Sequence, residues 1–279
     1  MKNRPAFRQA SMPCPNCGKL IGANTKRCIH CGLPRPRWFV SIPLLDDLIL
    51  DRIRFTNPIL LACFVLYALS LLLDPSGIHF SGDFLSILSP SNQALYRLGM
   101  GGAVSMADGR WWTLLTANYL HGGLLHILFN MLWLRQIGPL VEELYGSSRF
   151  IALYTLAGVF GSLTSVLAGT YFFIGASGAI LGLFGALIYY GRSRGGTFGS
   201  TIFRQMLIWA VIAFAIGFFI PGVDNWGHLG GLVVGLASGW LLGYQERGRQ
   251  KLFHHLLAFA AVLFISVCFA MMVIYFFIG

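Results

Sequence analysis

Seven runs of apolar residues, separated by short polar stretches, occupy most of this chain. They fall near 58–73, 113–134, 149–168, 172–191, 203–220, 226–244 and 253–278. A helix needs about 20 predominantly apolar residues to cross a bilayer, so the pattern predicts an all-α polytopic membrane protein. The connection from 74 to 112 differs from the others. It is too polar to span and too apolar to be plainly disordered, and long loops of this kind tend to carry function. Phe80, Phe84, Leu85, Ile87, Leu88 and the Trp111-Trp112 pair predict helices half-sunk in the membrane interface. Upstream, residues 1–36 read as a small polar module, 37–57 as a basic linker with an interfacial stretch at Leu44–Ile53, and 58–279 as the membrane domain.

Composition agrees: 56% of residues are hydrophobic and 11% charged, against about 25% charged in soluble domains. The net charge of +10 would suggest nucleic acid in a soluble protein. Here orientation in the bilayer explains it, and no nucleic-acid partner is expected. Ten Lys/Arg lie in residues 1–54, and of the remainder all but Arg97 and Arg110 fall on the same side if the seven runs alternate. The bias predicts a multi-pass protein of a plasma or inner membrane, with a cytoplasmic N-terminus and the C-terminus outside. The first 40 residues are basic and rich in Pro and Cys, unlike an export signal.

That orientation brings polar residues of three runs to similar depth below the outer face. The fourth run carries Gly175-Ala176-Ser177-Gly178, the sixth carries His228 in Gly227-His228-Leu229-Gly230-Gly231, and the second carries His121, His126 and Asn130. Small residues in a span commonly serve close helix packing, and a buried His or Asn commonly bonds a neighbouring helix. Polar groups inside the membrane are nonetheless functional by default. Glycines recur every three or four residues on the fourth and sixth runs, which allows the close approach that would bring His228 to Ser177. A serine beside a histidine is a nucleophile beside a base. None of the seven runs contains Asp or Glu, and Asp224 is the acid nearest His228, so the expectation is a dyad without a buried carboxylate. His126 and Asn130, spaced i, i+4 on one helix face, could complete an oxyanion hole with the Ser177 backbone N–H.

The N-terminal module contains Cys14-Pro-Asn-Cys17-Gly and Cys28-Ile-His-Cys31-Gly. Two such knuckles place four thiolates around one tetrahedral Zn²⁺, and a module this small needs the metal to hold a core. Two disulfides are the alternative, disfavoured in a cytosolic setting. A zinc held by four Cys has no open position, so docking of an unidentified partner or a lipid surface is expected rather than catalysis. Cys63 and Cys268, alone in apolar runs, read as packing residues, and His254 and His255 as surface residues at the mouth of the last run.

The motifs G-A-S-G around Ser177, G-H-L-G-G around His228 and H-G-G-L-L-H-I-L-F-N from His121 to Asn130 resemble those of the rhomboid family of intramembrane serine proteases. The resemblance covers about residues 58 to 278. It implies a rhomboid-like six-helix bundle, here with a seventh C-terminal transmembrane helix and a four-cysteine zinc-ribbon module. It implies catalytic Ser177 and His228, oxyanion donors His126 and Asn130, and supporting roles for Gly175, Gly178, His121, Gly231 and the structural Glu142. It further implies that 74–112 is the family's membrane-lying loop and that the substrates are transmembrane proteins in the lipid bilayer. Two positions depart from the family pattern. Its Trp-Arg pair reads Trp112-Thr113 with Arg110 nearby, and the aromatic one turn after the serine is Leu181. A catalytically inactive membrane scaffold is the alternative. A transporter is disfavoured by the lack of acids in the runs.

Overall fold

The computed structural model describes residues 11–14, 19–22, 27–30, 53–78, 87–220, 222–248 and 250–278. The chain divides into two compact units, Met1–Asp46 and Asp47–Gly279. In the first, strands β1 (Ser11–Pro13) and β2 (Leu20–Gly22) pair antiparallel with Met12 opposite Ile21. The Cys14 amide donates to the Lys19 carbonyl at 2.8 Å, so the strands continue into the first expected knuckle. Cys14 and Cys28 are buried. Cys17, Cys31 and nearly all of Leu44–Ile53 lie outside the described residues.

The second unit is helical. Its long helices are α1 (Thr56–Leu73), α5 (Leu124–Tyr145), α6 (Ser147–Leu167), α7 (Ser177–Arg194), α8 (Gly196–Phe219), α9 (Asn225–Leu242) and α10 (Leu252–Ile278). Three short ones, α2 (Asn92–Arg97), α3 (Ala103–Ala107) and α4 (Thr113–Thr116), lie in the long connection after α1. Among the described residues, α1, α5, α6, α8 and α10 are long and apolar enough to cross a membrane. Of these five, α6 is the most buried and α8 and α10 the least.

Glycine sets how closely α6, α7 and α9 meet. A Cβ on Gly231 would strike the Gly178 backbone, one on Gly235 the Gly182 backbone, and one on Gly161 would lie 2.8 Å from the Gly227 carbonyl oxygen. Such contact replaces side-chain interdigitation by backbone-on-backbone packing, the usual means of close approach between helices in lipid.

Two runs begin later than their hydropathy suggests. The second, expected at 113–134, is helical over Leu124–Tyr145, and residues 113–123 form α4, a 3₁₀ turn at Ala117–Tyr119 and an extended link. Hydropathy does not see the break at Gly122-Gly123. The shift places Arg135, Glu142 and Glu143 inside a spanning helix, where none of the runs was expected to hold an acid. Glu142 accepts from the Phe55 amide at 2.5 Å and from Thr56 Oγ1 at 3.1 Å, so it caps α1 by satisfying orphan donors at its N-terminus. The fourth run, expected from 172, becomes helical at Ser177. Residues before it are extended: the Gly101 amide donates to the Phe173 carbonyl at 3.1 Å, and the Phe173 amide returns a bond at 2.9 Å.

The long connection is anchored by a different arginine from the one the family pattern supplies. Arg110 is fully buried, and its guanidinium sits 4.1 Å from the Tyr96 ring centroid and 4.2 Å from that of Tyr275 on α10. Its Nη2 also donates to the Tyr96 carbonyl at 2.7 Å, and Tyr96 donates its hydroxyl to Asp108. Two stacked aromatic faces stabilise a desolvated guanidinium. His254 is buried rather than at the surface, and His255 Nδ1 lies 2.9 Å from Ser148 Oγ on α6.

Gly235→Val is expected to destabilise the bundle by on the order of 1–3 kcal/mol, the usual cost of overpacking. Reversible detergent unfolding of the purified chain, compared with Leu241→Val on the exposed face of α9, measures it.

Candidate functional site

Ser177 is the first residue of α7 and His228 lies in the first turn of α9. The glycine contacts hold these two helix starts side by side, and Ser177 Oγ lies 2.8 Å from His228 Nε2. At that distance the hydroxyl can donate its proton to an unprotonated nitrogen, the geometry of a nucleophile with its base. The first amides of α7 have no intrahelical acceptor, since the ladder begins with Ile180 donating to Ala176. A helix start therefore offers N–H donors and positive potential beside Ser177.

His126 stands next to this pair. The Gly122 amide donates to its Nδ1 at 3.3 Å, which fixes the neutral tautomer with the proton on Nε2. A Cβ at Gly175 would lie 2.6 Å from His126 Nε2 and 3.8 Å from Ser177 Oγ. The missing side chain of Gly175 thus leaves a gap that the histidine and the hydroxyl both face. Gly175 has φ +121°, a conformation that a side chain would strain, and its amide donates to the Ala117 carbonyl at 2.9 Å. The loop carrying Ala117 and Gly101 therefore positions the strand-like approach to the serine.

The remaining expected residues sort by distance from this gap. His121 is fully buried with its ring 5.1 Å from that of His126, edge to face. Asn130 is buried, and its Nδ2 donates to the His126 carbonyl at 2.9 Å, leaving its second N–H for another acceptor. Gly178 and Gly231 form the helix contact beneath the pair. Glu142 is away from the pair, at the start of α1. Among the described residues no group of three or more His, Cys, Asp or Glu could hold a metal, and two of the four cysteines lie outside them.

Two residues that sequence reading did not assign support His228. Asp224 caps α9 by accepting from the Gly227 amide at 3.1 Å, and it also accepts from Ser165 on α6, clamping the histidine's helix to α6. It makes no hydrogen bond to the imidazole. Phe214, on α8, sets its ring edge to face against His228 with centroids 6.2 Å apart. Leu181 leaves the histidine without an aromatic on α7, and Phe214 supplies one from a different helix. Nothing in the sequence relates a residue on the fifth run to a histidine on the sixth.

The Rhomboid domain profile matches residues 108–245, and the chain is 30% identical over 143 residues to the putative rhomboid protease YdcA of Bacillus subtilis, covering half of this chain and 70% of that protein. The chain belongs to the rhomboid family. It is also 39% identical over 160 residues to the rhomboid protease GluP of B. subtilis, covering 57% of this chain and 32% of GluP. Likewise it is 35% identical over 161 residues to RHOMBOID-like protein 5 of Arabidopsis thaliana, covering 56% of this chain and 52% of that protein. The chain spans about a third to a half of the length of these last two. Family and helices together make it an integral, multi-pass membrane protein.

Gly175→Ala is expected to displace the His126 ring and slow fluorophosphonate labelling of Ser177 by about a hundredfold, the scale of a lost oxyanion donor. Labelling kinetics on protein of unchanged elution volume measure it.

Proposed function

We propose that this rhomboid chain is an intramembrane serine endopeptidase that hydrolyses peptide bonds of transmembrane proteins within the bilayer. The observation that carries the reading is the 2.8 Å contact between Ser177 Oγ and His228 Nε2, made at two helix starts beside a third polar helix. His228 takes the serine proton as Oγ attacks the scissile carbonyl. The resulting oxyanion receives hydrogen bonds from the Ser177 amide, from Nε2–H of His126 and from the free N–H of Asn130. His228 then returns the proton to the leaving amine, and water repeats the cycle on the acyl-enzyme. With the basic connections cytoplasmic, the site opens toward the outer side. Substrates with small, helix-weakening residues are favoured, because a helix hides its carbonyls until it unwinds.

For the N-terminal unit we infer a structural zinc held by Cys14, Cys17, Cys28 and Cys31. Two observations support it: Cys14, which directly follows β1, and Cys28 are both buried, and the His30 amide donates to Cys28 Sγ at 3.4 Å. Such a closed site stabilises the fold of the module without supplying a reactive position, and leaves it to dock an unidentified partner.

Ser177→Ala and His228→Ala are each expected to abolish cleavage of a transmembrane reporter while leaving the elution volume unchanged; retained cleavage in both would remove the dyad. Phe214→Ala is expected to lower kcat about tenfold with KM near its original value, because the ring contacts the base and not the substrate. Cys28→Ser is expected to release zinc, read by metal analysis, while cleavage of the same reporter stays measurable.

A further inference from the structure

Arg135 is an exposed cation in the interior of a spanning helix. It lies ten residues before the end of α5, about 15 Å along the axis. Among the described residues, no hydrogen bond or ion pair engages its guanidinium. Arginine at such depth requires a partner, and an intramembrane charge marks a site by default. Beside it a groove of about 470 Å³ runs between α1 and α5, lined by Asn57, Leu60, Phe64, Leu128, Leu132 and Arg135. Among the described residues that line this groove, none is acidic.

Its polarity is defined by the helix order. α1 and α5 run antiparallel, with Thr56 against Glu142. Asn57 and Arg135 are therefore nearer the end where α1 begins, and Phe64 and Leu128 lie further in. One end offers a cation and an amide, the other only hydrocarbon. Pro139, inside α5, has no N–H to close the helical bond to the Arg135 carbonyl, so the backbone at this level is already irregular. A transmembrane helix seated here would bury the guanidinium against hydrocarbon with no anion. A phospholipid has the matching asymmetry, with a phosphate at the end of an acyl chain.

We propose that the α1–α5 groove is a phospholipid-binding site, with the lipid phosphate on Arg135 and Asn57 and one acyl chain along Leu60, Phe64, Leu128 and Leu132. The lipid belongs to the leaflet on the side where α1 begins, which is the side of the basic connections. It draws that leaflet's headgroup inward to Arg135, in keeping with local thinning around charged side chains. The site is separate from the Ser177–His228 pair and does not depend on its chemistry.

The test titrates dioleoyl phosphatidylglycerol into the full chain in maltoside detergent and counts retained lipid by native mass spectrometry. One lipid per chain is expected to survive activation in the wild type. Arg135→Gln is expected to weaken retention about tenfold, the worth of one charge-assisted hydrogen bond. Leu60→Trp, which fills the groove and keeps the cation, is expected to weaken it as well, and Arg247→Gln, on an unrelated cation, to leave it unchanged. Equal retention by Arg135→Gln, equal retention of dioleoylglycerol, which lacks the phosphate, or displacement of the lipid by inorganic phosphate alone would each overturn the proposal. Displacement by an apolar transmembrane peptide would assign the groove to a helix instead.

Discussion

The site depends on how near two backbones can come. α7 and α9 meet where Gly178 faces Gly231 and Gly182 faces Gly235, and α6 meets α9 where Gly161 faces Gly227. In lipid there is no hydrophobic drive between helices, so van der Waals contact and polar bonds must hold them. Glycine gives the greatest contact per helix turn. The same contact sets Ser177 and His228 at hydrogen-bond distance, because each residue lies within a turn of a glycine in the interface. Structure and site geometry thus share one cause.

The rest of the molecule keeps that pair of helix starts in place. Asp224 ties α9 to α6 through Ser165, and Phe214 borders the imidazole from α8. The paired stretch Gly101 and Phe173 fixes the approach to Ser177. Glu142 acts at a distance by holding the start of α1 against α5. None of these groups reacts, and each removes a direction in which the pair could separate.

Much of this was legible in the sequence because it rests on local spacing. The glycine repeats predict the contact between the fourth and sixth runs, and the shared depth of Ser177, His228 and His126 follows from counting runs and basic residues. What was not legible depends on where helices begin and on tertiary contacts. Hydropathy averages over Gly122-Gly123 and so places the second helix too early, which hides Arg135 and Glu142 among connection residues. It likewise misses the extended stretch before Ser177, which is apolar because it packs, not because it is helical. Phe214 and Tyr275 gain their meaning only from helices that lie next to their targets after folding. The two departures from the family pattern, at Thr113 and Leu181, are each answered by such a residue, Arg110 with Tyr275 in one case and Phe214 in the other.

The stacking of Arg110 between Tyr96 and Tyr275 also changes what the seventh helix is. By sequence alone α10 reads as an appendage to the rest of the bundle. Here it supplies one wall around a charge that, among the described residues, pairs with no carboxylate. Trimming the chain to its shared core would leave that cation facing acyl chains, and the loop it pins is the one that aligns the approach to Ser177. The last helix, α10, is thereby tied to the long connection through a single buried charge.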